Sequence, residues 1–420
     1  MLDLDDRLAE LKELGLYRRT RMVSGPQGPR VVLDGQPVLL LCSGNALGLA
    51  DHPRVRQAAA DAAMRWGVGA AGPRLSCGTM TLHRRLEERL ASFTRSDAAV
   101  LFGAGTLANL GVIPALARRG EAVLYDELSH SSIADGCKLA GAEAVPYAHG
   151  DPEHLAWALR QADGRAALIA TDGVFGTDGD IAPLEEIVLL ARRHDARVLV
   201  DESHALGAIG PGGRGAVADA GVREEVDVIT GSLGKALGSF GGYACCDHVT
   251  ARYLTNTARP LLDSTSPAPV AVAAALASLE LLSEQPRLVE KLQVNAEVLR
   301  DELAREGFEV SGACTQVVPL HVGRPDLALR IVDCALDDGV LAEAVVPPLV
   351  RDGGARLRVT AMASHSRTEL REAARVLGRA ALRCGFRPGA GIPMAAAPGV
   401  EPTARGVFDG EDEAALQRAA

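Results

Sequence analysis

Lys235 is the residue whose surroundings most invite chemistry. It stands in Thr230-Gly231-Ser232-Leu233-Gly234-Lys235-Ala236-Leu237-Gly238, followed by Ser239-Phe240-Gly241-Gly242 and preceded by the mostly apolar run Val226–Ile229. A solvated lysine needs no such density of glycines and small hydroxyls. A lysine closely approached by another group does, because glycine admits backbone where a Cβ would clash. A lysine amine also shifts its pKa readily on desolvation, which suits nucleophilic or Schiff-base chemistry. Three readings compete for the stretch: a solvated lysine in a strand-to-helix turn, a phosphate-binding P-loop, and a lysine holding a cofactor aldehyde as an imine. The P-loop fails twice, because Ile229 occupies its leading glycine position and Ala236 its Ser/Thr position.

The elements that would position such a lysine are legible upstream. From Ala98 onward, short apolar runs alternate with helical stretches: Ala98–Phe102, Ala122–Tyr125, Ala166–Ala170, Arg197–Val200, Val226–Ile229 and Tyr243–Cys245. This pattern predicts an α/β fold with a mostly parallel sheet covered on both faces. Ligands in such sheets bind beyond the carboxyl ends of the strands. The residues at those ends are therefore informative. Gly103-Ala104-Gly105-Thr106-Leu107-Ala108-Asn109 opens a helix and would present backbone N–H groups to an anion such as phosphate. Asp126-Glu127-Leu128-Ser129-His130, Thr171-Asp172-Gly173-Val174-Phe175 and Asp201-Glu202-Ser203-His204 close three other runs. Singly, Asp201 reads as a helix cap, His204 as a satisfied core histidine and His130 as a surface residue. Together at successive strand ends they form a constellation. A carboxylate beside a pyridine nitrogen keeps the ring an electron sink, a lysine carries the cofactor, an imidazole stacks on the ring and helix amides hold the phosphate.

Composition narrows the remaining classes. The 420 residues are 47% hydrophobic, enough for a sizeable core and two or three structural units. A net charge of -10 without a basic block argues against nucleic-acid binding. Met1–Arg30 is charged and polar, unlike a secretory signal, and apolar runs such as Pro269–Ala277 are too short to span a bilayer. A cytoplasmic protein is expected. The eight cysteines lack metal-binding spacing and read as reduced thiols, so no metal is expected. Leu2–Leu16 reads as a helix, residues 31–41 as a hairpin around Asp34-Gly35, Ser43–Leu49 as a loop and His52–Trp66 as a helix. Gly67-Val68-Gly69-Ala70-Ala71-Gly72 matches GxGxxG but follows a helix, which is the wrong context for a dinucleotide site. Arg74 and His83 lie just beyond it. Four segments are expected: an arm (1–50), a large cofactor-binding domain (51–266), a smaller α+β domain (267–387) and a flexible Ala/Gly/Pro-rich tail (388–420). In the smaller domain, Val270–Leu282, Pro286–Gly307 and Arg367–Arg383 read as helices, and Val317–His321, Val340–Val345 and Ala355–Thr360 as strands.

The motifs Ser129-His130-Ser131-Ser132, Thr171–Phe175 with Asp178-Gly179, Asp201–His204, Gly231–Gly242, Ser264-Thr265-Ser266-Pro267 and Ala355-Arg356-Leu357-Arg358 together resemble the α-oxoamine synthase family of fold-type I pyridoxal-phosphate transferases. The likeness runs from about Leu8 to about Gly385. It implies a large domain with a mostly parallel seven-stranded sheet between helices, plus a smaller C-terminal domain. It implies that Lys235 carries pyridoxal 5'-phosphate as an imine, that Asp201 faces the pyridine nitrogen, that His130 stacks on the ring and that His204 bonds the ring oxygen. Gly105, Thr106 and Ser232 would hold the phosphate, with Thr265 reaching it from the second subunit of a homodimer with a shared active site. Asp172 would stand beside the cofactor. Arg358, with Asn45 and Thr360, would meet the amino acid, and Arg18 would lie near the acyl group. The implied reaction joins an amino acid, alanine or glycine, to an acyl-CoA (or an acyl carrier), with loss of carbon dioxide and CoA, to give an α-aminoketone.

Within the family, Gly234–Gly241 and Val346-Pro347-Pro348 resemble the 8-amino-7-oxononanoate synthase branch of biotin biosynthesis, the preferred reading. Cys77-Gly78-Thr79 and Ile169–Phe175 resemble the glycine C-acetyltransferase branch, and a specialised-metabolite synthase is a further alternative. The chain departs from the family at Gly44 (usually Asn), Ala46 (usually Tyr), Thr106 (usually aromatic) and Gly176 (usually Ser). These smaller side chains imply a wider acyl pocket or a different amino acid. Two other rivals are a catalytically silent binding subunit of the same fold and an aminotransferase.

Overall fold

The computed structural model describes residues 3–13, 17, 19–310 and 312–387. The expected tail 388–420, Leu2, Leu14 and Leu16 of the expected N-terminal helix, and Arg18 lie outside the described residues.

The central sheet has seven strands in the order Ala98–Phe102, Gly242–Cys246, Val228–Ser232, Arg197–Asp201, Ala166–Asp172, Ala122–Asp126, Glu143–Tyr147. All neighbours run parallel except Gly242–Cys246, which is antiparallel to both of its neighbours. Val198, Leu199, Val200, Val228, Ala244 and Cys245 are all at most 1% exposed, as a sheet covered on both faces requires. The strand Glu143–Tyr147 escapes the apolar-run reading. It is an edge strand, two of its residues are exposed, and it carries Pro146, which only an edge tolerates.

The strand leading to the lysine lies later than expected, at Val228–Ser232 rather than Val226–Ile229. Gly231 and Ser232 are drawn into the ladder opposite Tyr243 and Gly242. A Cβ at 231 would overlap the Tyr243 hydroxyl, so only glycine fits there. Lys235 therefore sits in a loop between two antiparallel strands, not in a strand-to-helix turn. Leu233 N–H donates to Gly241 O at 2.9 Å and Ser239 N–H to Leu233 O at 2.9 Å, closing that loop.

Two smaller sheets complete the frame. The expected single strand Val340–Val345 is broken at buried Ala342. Val340–Leu341 pairs in parallel with Leu39 and Leu40 of the N-terminal hairpin, while Glu343–Val345 pairs antiparallel with Arg356–Arg358. The N-terminal hairpin and the C-terminal part of the chain thus share a sheet, and one apolar cluster extends from Leu39 to Ala381. The helix Arg367–Arg383 opens on a capping box: Ser366 accepts from Glu369 N–H, and Glu369 accepts from Ser366 N–H.

Candidate active site

The polar residues at the strand ends meet on one side of the sheet. Asp172 and Asp201 end adjacent strands and are directly in register. Asp201 is 5% exposed, and both of its oxygens are used: Oδ2 accepts from Asn109 Nδ2 at 2.7 Å and Oδ1 from Ser203 N–H at 2.8 Å. Asn109 is itself fixed, donating to Ser132 Oγ at 2.9 Å and accepting from Thr230 Oγ1 at 2.7 Å. The carboxylate therefore has one orientation. Asn109, Ser132 and Thr230 were not singled out in the sequence. Each lies inside or beside a quoted motif, but only their buried meeting point gives them a role.

The neighbouring carboxylates are set apart by environment. Burial, then the nearby Asp201 charge, pushes Asp172 well above the usual carboxylate range, while His130 N–H, 3.3 Å from each oxygen, opposes the shift. Glu202 turns away from the site to the backbone N–H groups of Ala216 at 2.9 Å and Val217 at 2.7 Å, and burial raises it to about 7.

Lys235 is half-buried. Burial lowers its ammonium pKa and Arg358 adds to this, against the pull of Asp201 and Asp172. Such an amine loses its proton more easily than one in water. The same cleft is lined by Cys42, Gly44, Ala46, Ser203, His204, Gln316, Arg358 and Thr360. His204 is held neutral, first by burial and then by the charges of Lys235, Arg358 and His130. Its carbonyl accepts from Gln316 Nε2 at 2.9 Å. His130 is also lowered, chiefly by burial. It caps the helix Ser131–Ala140, with its Nδ1 2.7 Å from Ser132 Oγ.

The helix Gly105–Leu116 begins without any side-chain cap, so its first N–H groups are free for an anion. A Cβ at Gly105 would stand 3.1 Å from Ser232 Cβ, which places Ser232 against that turn. An uncapped helix start supplies N–H donors for a phosphate, a buried carboxylate oriented by Asn109 an acceptor for a pyridinium N–H, and a desolvated lysine a nucleophile for an aldehyde. The residues present fit pyridoxal phosphate.

The remaining expected residues divide. Arg358 and Thr360 line the cleft. Asn45 does not. Its Oδ1 accepts from Ala50 N–H at 3.1 Å and its amide lies 3.5 Å from Gln27 O, so it ties the loop to the segment before the N-terminal hairpin. Thr265 is exposed and bridges to Pro73, held by Ser266 N–H on Gly72 O at 3.0 Å. His83 secures the same segment, with Nε2 2.8 Å from Pro267 O and Nδ1 accepting from Met80 N–H at 3.1 Å. The glycine-rich stretch 67–72 thus serves as an anchoring connection.

Gly176 shows why one family side chain is missing. A Cβ there would overlap the His204 ring nitrogen, so a serine would displace His204 as it now stands. A Cβ added at Gly44 would meet only ordinary contact, 3.4 Å from Lys235 Cγ.

One ion cluster was not expected. His149 Nε2 lies 2.8 Å from Asp180 Oδ2, and its Nδ1 lies 3.0 Å from Asp126 Oδ1. Its ring stands edge-on to Phe175, with centroids 4.5 Å apart. Burial lowers the imidazole, but the two carboxylates outweigh it and carry the pKa up to about 10. The folded protein thus holds a proton that the unfolded chain releases near pH 6.5. This stabilisation is full below about 6.5 and disappears as the pH rises through about 10. The expected result is a melting temperature that falls between those limits. His149→Gln would be less stable at pH 6.5 by on the order of 2 kcal/mol, a value discounted for partial exposure, and would show a flatter profile. Thermal unfolding at a series of pH values measures this.

Comparison with known proteins shows the family of this chain. The aminotransferase class I and II family matches residues 36–377. The chain belongs to that family and, within it, to the α-oxoamine synthases, pyridoxal-phosphate transferases of fold type I. It is 43% identical to an 8-amino-7-oxononanoate synthase of Citrifermentans bemidjiense, over 90% of this chain and 98% of that protein. Another from Geobacter sulfurreducens is 44% identical over 89% of this chain and 96% of that protein. Among solved structures, a Sphingomonas wittichii serine palmitoyltransferase superposes with a TM-score of 0.86 at 30% identity, covering 91% of this chain and 97% of that one. No helix among the described residues is long and apolar enough to cross a membrane.

Proposed function

We propose that this protein joins an amino acid, alanine or glycine, to an acyl-CoA, releasing carbon dioxide and CoA and yielding an α-aminoketone, as an 8-amino-7-oxononanoate synthase. The observation that carries this reading is the convergence of Lys235, His204 and Arg358 on one cleft above Asp201. Identities of 40 to 44% to 8-amino-7-oxononanoate synthases support that branch over the acetyltransferase reading.

Bound here, pyridoxal phosphate supplies an electron sink for charge formed at the amino acid's α-carbon. Lys235 holds the cofactor through its Nζ and, once displaced, takes the α-proton on the same nitrogen. Its lowered pKa makes the neutral amine that both tasks need easier to reach. Asp201 places a fixed negative charge at the ring nitrogen, and Asn109 and Ser203 prevent it from turning away. His130 offers its ring face, and neutral His204 bonds the ring oxygen without adding charge. Asp172 lies beside the cofactor. Gly105, Thr106 and Ser232 hold the phosphate, and Thr265 completes its shell from the partner subunit of a homodimer. Arg358 receives the substrate carboxylate, with Thr360 beside it. Asn45 keeps the substrate loop in place, and Arg18 lies near the acyl group. A cytoplasmic setting and a division at residues 50, 266 and 387 complete the reading.

The small residues Gly44 and Ala46 beside Lys235 favour a long acyl chain. Steady-state rates across an acyl-CoA length series, with carbon dioxide, free thiol and product mass followed together, test both points. Increasing kcat/KM with chain length is expected. A sharp optimum at acetyl-CoA would favour the acetyltransferase reading. Transfer of an amino group without thiol release would favour an aminotransferase. A protein that stays colourless with added cofactor would be the silent binding subunit.

A further inference from the structure

Arg358 already carries a carboxylate of this chain, which a substrate carboxylate would have to meet. Its strand runs antiparallel to Glu343–Val345, with Glu343 directly opposite it, and Arg358 Nη2 forms an ion pair with Glu343 Oε2. Arg358 Nη1 donates to Gly176 O at 3.0 Å, and Nε is buried with no partner among the described residues. Each of the two terminal nitrogens that would grip a carboxylate side by side therefore already donates one of its two N–H groups, and Glu343 stands where a second carboxylate would have to come. One partner is a backbone oxygen and the other a full negative charge.

We propose that Glu343 is a specificity-determining counter-charge, which the amino-acid carboxylate must displace from Arg358 before it can bind. This rests on the condensation reading above. Glu343 is poorly suited to be a mere support. Its side chain is 42% exposed against 22% for Arg358, so on release it moves into water at little cost. Arg358 keeps its seat without it, through Gly176 O and through a strand paired on both sides. Arg356, two residues earlier on the same face, pairs with Asp178 and ties the same loop down independently. The field of the pair reaches the cleft. Burial raises the lining thiol of Cys42 to about 11, with Glu343 adding to the shift and Arg358 opposing it. Neutralising Glu343 would leave Arg358 with an uncompensated charge facing the substrate.

The test is a titration of the holoenzyme with alanine and with glycine, followed by the visible absorption of the bound cofactor, in the native protein, Glu343→Gln and Glu343→Asp. Half-saturation is expected to fall about three- to fivefold in Glu343→Gln and to stay near native in Glu343→Asp. In turnover, the amino-acid KM should fall with it, with kcat and the acyl-CoA KM unchanged. Equal or weaker amino-acid binding in Glu343→Gln would show a support for Arg358 and overturn the inference, leaving the condensation reading intact. No spectral response of the native holoenzyme to any amino acid would overturn both.

Discussion

Lys235→Ala is expected to abolish turnover, with a fall of at least about a thousandfold, and to leave a protein with no borohydride-reducible visible band. The size of the effect follows from the other lysines. Lys12, Lys138 and Lys291 are all exposed on the surface. Only Lys235 is partly withdrawn from water, beside two carboxylates, with a lowered pKa. Among the described residues no other lysine lines the cleft. The fold should survive, because Lys235 lies in a loop closed by backbone bonds from Leu233 and Ser239 that do not use its side chain. Absorption spectra before and after borohydride, with peptide mass mapping of the trapped lysine, measure this. A normal reducible band in the variant would move the cofactor to another residue.

Asp201→Asn is expected to retain cofactor and to lose about a hundred- to ten-thousandfold in kcat. The substitution is nearly isosteric, and Ser203 N–H can still donate to its oxygen. The position of Oδ2 is different. It now accepts from Asn109 Nδ2, whose own oxygen is committed to Thr230 Oγ1. An amide nitrogen at 201 would face another amide nitrogen, leaving a buried donor without an acceptor, at a cost of about 1–3 kcal/mol. The variant should therefore lose both the charge that keeps the ring nitrogen protonated and some thermal stability. Asn109→Leu separates the two effects. It removes the clamp but keeps the charge, so it should cost less in kcat than Asp201→Asn while still lowering the melting temperature. Parallel kinetics and calorimetry on both variants would decide this, and near-native kcat in Asp201→Asn would remove Asp201 from the ring nitrogen.

The parts of this protein written in local sequence were those with a strong period or strong turn chemistry. Buried parallel strands such as Arg197–Asp201 appear as mostly apolar runs, and the helix Arg367–Arg383 falls where the sequence reading places it. The principal site residues were legible for a related reason. In a sheet of this kind the residues just after each apolar run must face the ligand side, so Asp172, Asp201, His204 and the lysine loop could be named from position alone. The edge strand Glu143–Tyr147 was hidden because an edge needs no apolar run. The strand Val228–Ser232 shifted because its register is set by an antiparallel neighbour ten or more residues later.

Contacts between distant segments belong to the tertiary structure alone. Asn109, Ser132, Thr230 and Asp201 come from four separate elements, and no spacing rule links them. His149 is held between Asp126 and Asp180, and Glu343 is set against Arg358 only because the strand from Val340 breaks at Ala342 and turns to a new partner. The sequence determined which side chains could do this chemistry, since residue type and strand-end position are local properties. The fold decided which of them are already bonded, buried or opposed by charge, because those properties depend on neighbours that the chain meets only after it has closed on itself.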